Sequence, residues 1–219
     1  MCHTVTSIDK MTSLLVGGRV SPDQPLSDCW IVRDSLWERV EDLPLPLYRH
    51  SATSLELSGS TRGVLVYGGR TSGGATVNLW LLWRESSGWV KVKQSSDSLL
   101  RPRFGAAMTS NVAREGILLG GMAEDGAIFA EIWHWVVDNK TTPATITIRL
   151  RSVDPDPGDP LNLEEVVCRF GACFCWTSTA LLLVGGFCPR VLLPREYEIL
   201  GLTIRQPQSD GLGALWWAV

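Results

Sequence analysis

Four apolar runs in this sequence each end in a pair of glycines, and this repetition constrains the fold more than any other feature. The pairs begin at residues 17, 68, 120 and 185, so they are 51, 52 and 65 residues apart. A phosphate-binding loop is normally used once in a domain, and neither Gly-Lys-Ser/Thr nor Gly-x-Gly-x-x-Gly is present here. The pairs therefore predict repeated structural turns with positive φ, formed by Gly17, Gly18, Gly68, Gly69, Gly120, Gly121, Gly185 and Gly186.

The spacing of the pairs is close to the roughly 50-residue period of a kelch array. Around each pair the same segments recur: a short run with small residues, the apolar run, then a strand that carries Trp in the first three units. A fourth short strand completes the unit, and four antiparallel strands make one propeller blade. The sequence thus predicts an all-β, kelch-type partial β-propeller of about four blades of four antiparallel strands. The blades are expected at about residues 1–47, 48–101, 102–167 and 168–219.

Tryptophan and cysteine add expectations about packing and metals. Ten tryptophans are present, and those at matching blade positions are predicted to pack between blades: Trp30, Trp37, Trp80, Trp89 and Trp133. Six cysteines lack any Cys-x-x-Cys spacing, so buried, reduced thiols are favoured over a zinc pair at Cys173 and Cys175. We predict no catalytic, cofactor-binding or metal-binding residue, and Gly-x-Ser-x-Gly is absent.

One segment, Ser152 to Glu165, interrupts the repeat and explains the longest spacing. Its alternating Asp and Pro residues disfavour helix and strand pairing, which predicts a solvated loop between blades. A calcium loop through Asp154, Asp156 and Asp159 is the alternative, although the order of ligands in an EF-hand is missing.

Charge and hydropathy limit the location and the partners of the chain. The net charge of −3 does not resemble a strongly basic nucleic-acid binder, so any contact with RNA requires a local patch. The N-terminus lacks a secretory pattern and no apolar run approaches about 18 residues. We therefore expect a cytoplasmic protein with no membrane contact.

Several stretches go beyond a generic repeat: MCHTVTSI, LLVGGRVSPDQPLSDCW, LWERVEDLPLPLYRHSAT, VYGGRTS and GGMAEDGAI. Together they closely resemble the C-terminal kelch propeller of the tRNA wybutosine-synthesizing protein 4 family, in its fungal form. This is a family of leucine carboxyl methyltransferase-like tRNA methyltransferases. The resemblance covers about residues 1–135 well and continues more weakly to the end.

The resemblance implies an N-terminal methyltransferase domain that uses S-adenosylmethionine in the last steps of wybutosine synthesis on phenylalanine tRNA. Those steps are methylation of a carboxylate and methoxycarbonylation of an amine. The chain starts inside the first recognisable blade and contains no nucleotide-binding βαβ unit. We therefore expect a fragment without the methyltransferase domain or the cofactor site, inactive alone and prone to self-association through open strand edges. The alternative is a stand-alone kelch scaffold that binds a protein partner and has no enzymatic activity.

Five arginines define the candidate interaction face. Arg19 and Arg70 follow double glycines, and Arg49, Arg103 and Arg169 precede first strands, which places all five on one side of the disc. Two interpretations stay open. Each guanidinium either bonds backbone carbonyls or a carboxylate nearby, or the five form an anion-binding ring for tRNA phosphates or an acidic partner. Met122 and Phe187 occupy the matching positions of the later blades, so the ring is incomplete.

Overall fold

The computed structural model describes residues 1–58, 61–95, 100–111, 114–138, 147–152, 167–176, 181–188, 199–204 and 215–218. These ranges contain β-strands and a short 3₁₀ turn, Ser72–Gly74. Blade 1 contains β1 (Thr4–Ser7), β2 (Thr12–Val16), a ribbon of β3 (Arg19–Ser21) and β4 (Gln24–Pro25), then β5 (Cys29–Arg33) and β6 (Leu36–Val40). Blade 2 contains β7 (Ser51–Ser58), β8 (Thr61–Tyr67), β9 (Trp80–Arg84) and β10 (Gly88–Ser95).

Blade 3 contains β11 (Ala107–Ser110), β12 (Glu115–Leu119), β13 (Ile132–Asp138) and β14 (Thr147–Ser152). Blade 4 contains β15 (Cys173–Trp176), β16 (Leu181–Val184), β17 (Ile199–Ile204) and β18 (Leu215–Ala218). Within every blade, consecutive strands of the four-strand meander pair antiparallel. The all-β prediction with four-stranded blades is confirmed.

Blades 2 and 3 are additionally joined into one eight-stranded sheet. Their last strands, β10 and β14, pair in parallel, with Lys93 opposite Thr147 and Ser95 opposite Arg149. The sequence analysis did not predict this link. The Asp- and Pro-rich segment that follows β14, including Asp154, Asp156 and Asp159, lies outside the described residues.

The hydrophobic core lies between blades rather than within them. In β9, Trp80 and Leu82 pack against blade 3, whereas Leu81 and Trp83 pack against blade 1. Successive side chains of a strand point to opposite faces, so a strand with a blade on each side must be apolar at every position. This explains why the central strands read as continuous apolar runs. A third cluster joins blade 3 to blade 4 through Leu119 and other residues, which include Leu181 and Leu183.

The double glycines form the seams between blades. Gly68 and Gly69 have φ values of +65° and +97°, and the other three pairs are also positive. Among the described residues nothing lies within 4 Å of a Cβ on Gly185. In the first three pairs, by contrast, a Cβ on the first glycine would clash with a carbonyl oxygen at the start of the following blade, as Gly68 would with Arg103. The N–H of the second glycine donates to that same carbonyl, from Gly69 to Arg103 at 3.0 Å. Only a residue without a side chain permits this approach in this conformation.

Tryptophan packing differs from the prediction at one position. Trp80 and Trp133 are buried between blades, and Trp30 and Trp89 are half-buried. Trp37 is 59% exposed, so the prediction that it packs between blades is wrong. It lies on β6, the last strand of blade 1, whose side chains are mostly exposed.

The cysteines also depart from the expectation. Cys29, Cys168 and Cys188 are buried and form no disulfide among the described residues, but Cys173 and Cys175 are exposed. Alternation along β15 directs Phe174 into the cluster between blades 3 and 4, which leaves the two flanking cysteines on the other face. No group of three His, Cys, Asp or Glu side chains capable of holding a metal occurs in the part of the chain that the structure describes.

The described residues also include no helix that is both long and apolar enough to cross a membrane.

Candidate anion-binding face

Arg19 and Arg70 occupy equivalent places, directly after the double glycines of blades 1 and 2. Arg70 exchanges two backbone hydrogen bonds with Tyr48, of 2.9 and 3.0 Å, which anchors the loop to the start of its own blade. Arg19 is held in the same way by the N-terminal residue Met1. Both side chains are partly exposed.

Each of these guanidinium groups lies on an aromatic ring of the following blade. The Cζ atom of Arg19 is 4.9 Å from the centre of the Tyr48 ring, and that of Arg70 is 4.6 Å from the centre of the Phe104 ring. These distances are typical of cation–π contacts, in which the ring quadrupole attracts the cation without neutralising it. The Nε–H of Arg70 also donates to the carbonyl oxygen of Gly74. Both guanidinium groups are therefore positioned by neutral partners, and neither is paired with a carboxylate among the described residues.

Arg49 is the third cation of this surface. Its Cζ atom lies 5.8 Å from the centre of the Phe104 ring and 5.3 Å from that of Phe170. The two rings meet edge to face at 5.3 Å, which fixes their orientation. Among the described residues, no carboxylate lies within ion-pair distance of Arg19, Arg49 or Arg70. Ion pairs are instead formed by Arg33, Arg39, Arg62, Arg101 and Arg103.

Arg103 and Arg169 do not belong to an accessible ring. Their exposures are 0% and 1%, and each guanidinium donates to a carbonyl of the double glycine in its own blade, Gly120 at 3.0 Å and Gly185 at 2.6 Å. Arg103 also binds Glu131 at 2.7 Å. A buried, bonded guanidinium cannot reach a phosphate in solution. The proposed anion-binding face therefore retains only Arg19, Arg49 and Arg70.

The buried arginine determines the ionisation of its partner. Partial burial would raise the pKa of Glu131, but hydrogen bonds from Arg103, Trp133 and Arg101 outweigh this and hold the pKa at about 2. Glu131 is thus a carboxylate across the whole physiological range, and it accepts hydrogen bonds from Arg101, Arg103 and Trp133.

Arg49 is not the counterpart of Arg103 and Arg169, although all three precede a first strand. The carbonyls of Leu47, Arg103 and Arg169 accept equivalent bonds from Gly18, Gly69 and Gly121. The position of Arg49 matches those of Gly105 and Gly171 instead, because an inter-blade chain of hydrogen bonds connects them. The N–H of Arg49 donates to Cys2 at 2.9 Å, that of Gly105 to Arg49 at 2.8 Å, and that of Gly171 to Gly105 at 2.8 Å.

A cleft of about 390 Å³ lies beside this chain of hydrogen bonds. Its walls include Cys2, His3, Arg49, Gly105, Phe170 and Gly171. His50 also borders it, and burial, with a smaller effect of nearby His3, lowers the pKa of His50 to about 4. The His50 ring is therefore neutral near pH 7, and its Nε2 lies 2.8 Å from the hydroxyl of Thr4 in blade 1.

The aromatic members of the face were missed in the sequence analysis. Tyr48, Phe104 and Phe170 occupy the same position of three blades, three residues before the first residue of the inner strand. An aromatic residue recurring at this fixed place next to Arg or Gly was the available signal.

Comparison with known proteins gives a consistent result. Residues 1–213 match the family described as tRNA wybutosine-synthesizing protein 4, beta-propeller. The chain is 38% identical to tRNA wybutosine-synthesizing protein 4 of Aspergillus fumigatus over 93% of its length, covering 19% of that protein. It is 30% identical to the protein of that name from Saccharomyces cerevisiae over 98% of its length, covering 29% of that protein.

The solved structure titled "Structure of YjhT" has a similar fold, with a TM-score of 0.59 at 12% identity over 84% of this chain and 58% of that one. At this identity the likeness supports the propeller fold alone. The chain spans about a fifth of the length of the first curated relatives that it matches. On the matched sequence and the fold together, the chain belongs to the β-propeller family of tRNA wybutosine-synthesizing protein 4.

Proposed function

We propose that this chain is the propeller portion of an S-adenosylmethionine-dependent methyltransferase and methoxycarbonyltransferase that modifies phenylalanine tRNA. In this proposal the propeller supplies no cofactor site and no catalytic residue. It contributes a surface that holds the tRNA through Arg19, Arg49 and Arg70. The family membership supports the substrate class, and the relatives' printed name refers to wybutosine synthesis.

The observation that carries the proposal is the cluster of three arginines without a carboxylate partner in the described part of the chain. Arginines elsewhere on the surface, such as Arg33 and Arg39, are neutralised by acidic neighbours. A net charge of −3 would repel a polyanion unless a local patch overcame it. Guanidinium groups suit phosphate because their donors form paired hydrogen bonds with its oxygens.

The first prediction concerns charge on this face. The double variant Arg19→Gln/Arg70→Gln is expected to weaken binding of phenylalanine tRNA by roughly tenfold or more. The slope of log affinity against log salt should fall by about 1.5, the value for two lost phosphate contacts. Fluorescence anisotropy at several salt concentrations measures both quantities.

The control is Arg33→Gln/Arg39→Gln, which removes the same net charge from ion-paired side chains of blade 1. It should leave the affinity within about twofold, because long-range charge effects are screened by salt. Equal losses in the two double variants would contradict a specific face. Binding of an acidic protein but not of tRNA would favour the scaffold alternative.

A further inference from the structure

Arg49 adopts a backbone conformation that its residue type disfavours. Its φ is +54°, in the left-handed region, as is that of Cys2 at the equivalent position of blade 1 (+60°), whereas the equivalent positions in blades 3 and 4 are Gly105 and Gly171 at +64° and +74°. A glycine would satisfy the same hydrogen bonds with less strain, since Gly105 both donates and accepts in this chain of bonds. Strain retained at a position where a relaxed residue fits indicates that the side chain has a task.

The side chain of Arg49 borders the cleft with a fixed orientation, and its positive charge is not balanced by a described carboxylate. Two aromatic rings hold the guanidinium by cation–π contacts, and no described carboxylate pairs with it. The cleft is bordered by the ring of Phe170, which packs directly against Gly105, and by Gly171, where nothing among the described residues lies within 4 Å of a Cβ. No acidic residue occurs among the described residues that form its walls.

The size and the lining of the cleft limit the ligands that fit it. About 390 Å³ falls within the range of small-molecule pockets, and it exceeds what a single phosphate ion needs. A ligand that fits combines one anionic group for Arg49 with a flat, largely apolar body for the walls around Phe170. A nucleotide has both parts.

We propose that this cleft receives a single nucleotide, with its phosphate on Arg49 and its base in the space beside Phe170. The inference rests on the proposed function, in that tRNA is the source of the nucleotide, and it adds a specific pocket to a surface of phosphate contacts. Arg19 and Arg70 then hold the backbone of the same strand outside the cleft.

Calorimetric titration of the 219-residue chain with guanosine 5′-monophosphate tests the pocket. Wild type should bind, and Arg49→Gly should bind at least tenfold more weakly. Thermal unfolding should show that Arg49→Gly is as stable as wild type or more stable, because glycine relieves the positive φ. Arg39→Gln, an exposed and ion-paired site, should leave nucleotide affinity unchanged.

Guanosine and inorganic phosphate separate the two halves of the ligand, and each should bind more weakly than the nucleotide. Phosphate binding as tight as that of the nucleotide would overturn the base-binding part, and equal nucleotide affinity in Arg49→Gly would overturn the pocket. If tRNA binding depends on Arg19 and Arg70 while the nucleotide does not bind, this inference fails and the proposed function stands. If the nucleotide binds through Arg49 and tRNA does not bind, the proposed function fails instead.

Discussion

Two arginines near the start of blade 3 bind the same carboxylate, but one is exposed and the other is buried. Arg101 is 57% exposed and Arg103 is fully buried, yet each donates to one oxygen of Glu131. Arg103 also donates to the carbonyl of Gly120, so its guanidinium links the strand entrance to the double glycine. At the scale of single residues, burial decides which of the two pairs stabilises the fold.

We therefore predict that Arg103→Met costs about 3 kcal/mol of the free energy of unfolding, because it removes the buried partner of Glu131 and leaves the buried carbonyl of Gly120 without the guanidinium that bonds it. The matched control Arg101→Met should cost about 0–1 kcal/mol, as expected of an exposed pair. Urea unfolding curves measure both losses of stability, provided that the two variants keep the m-value of the wild type. Similar losses in the two variants would show that Arg103 has no special structural role.

At the scale of the element, the junction after the second strand of blades 1 to 3 depends on close backbone approach. Gly68 and Gly73 share a positive φ, +65° and +75°, but differ in their surroundings. A Cβ at Gly68 would meet the carbonyl of Arg103, whereas nothing lies within 4 Å of a Cβ at Gly73. Substitutions at Gly73 and Gly68 can therefore distinguish the cost of the backbone conformation alone from the added cost of a steric clash between blades.

Gly73→Ala should lower the free energy of unfolding by about 1 kcal/mol, the cost of the conformation alone. Gly68→Ala should cost at least about 2 kcal/mol more, because blades 2 and 3 must separate to admit the methyl group. Thermal or urea unfolding compares the two variants. If both variants lost only about 1 kcal/mol of stability, the contact between blades 2 and 3 would accommodate the methyl group without further cost.

Element-scale features were also the most predictable ones. Gly68 and Gly69 end an apolar run, and local chemistry dictates a turn there whatever surrounds it. Trp37 was misplaced because its neighbours in the sequence do not reveal that β6 lacks cover on its exposed face. Arg49 was aligned with Arg103, although its counterpart is Gly105, two residues later. The hydrogen bonds between blades define this correspondence. No pattern within one blade reports those bonds.

At the scale of the whole molecule, adjacent blades are joined by polar contacts as well as by apolar clusters. His50 of blade 2 is buried, and its ring lies within hydrogen-bonding distance of Thr4 in blade 1. Its pKa in the folded protein is about 4, below the ordinary value of 6.5, chiefly because burial disfavours the charged form. Between these two values the unfolded chain binds a proton that the folded chain does not.

Stability should consequently fall as the pH is lowered from 6.5 to 4, by on the order of 3 kcal/mol from this group. His50→Gln should have lower stability near neutral pH but a flatter dependence across this window. Urea unfolding at a series of pH values in both proteins tests the sign and the size of the effect. A wild-type profile as flat as that of the variant would exclude His50 as the cause.

The chain of hydrogen bonds through Cys2, Arg49, Gly105 and Gly171 has a consequence for hydrogen–deuterium exchange. Each of its three N–H groups is bonded to the carbonyl of a different blade. Exchange of one such amide with solvent requires a specific pair of blades to part. These three amides therefore report separately on the contacts between blades 1 and 2, 2 and 3, and 3 and 4. Their relative exchange rates rank these contacts by the free energy needed to open them.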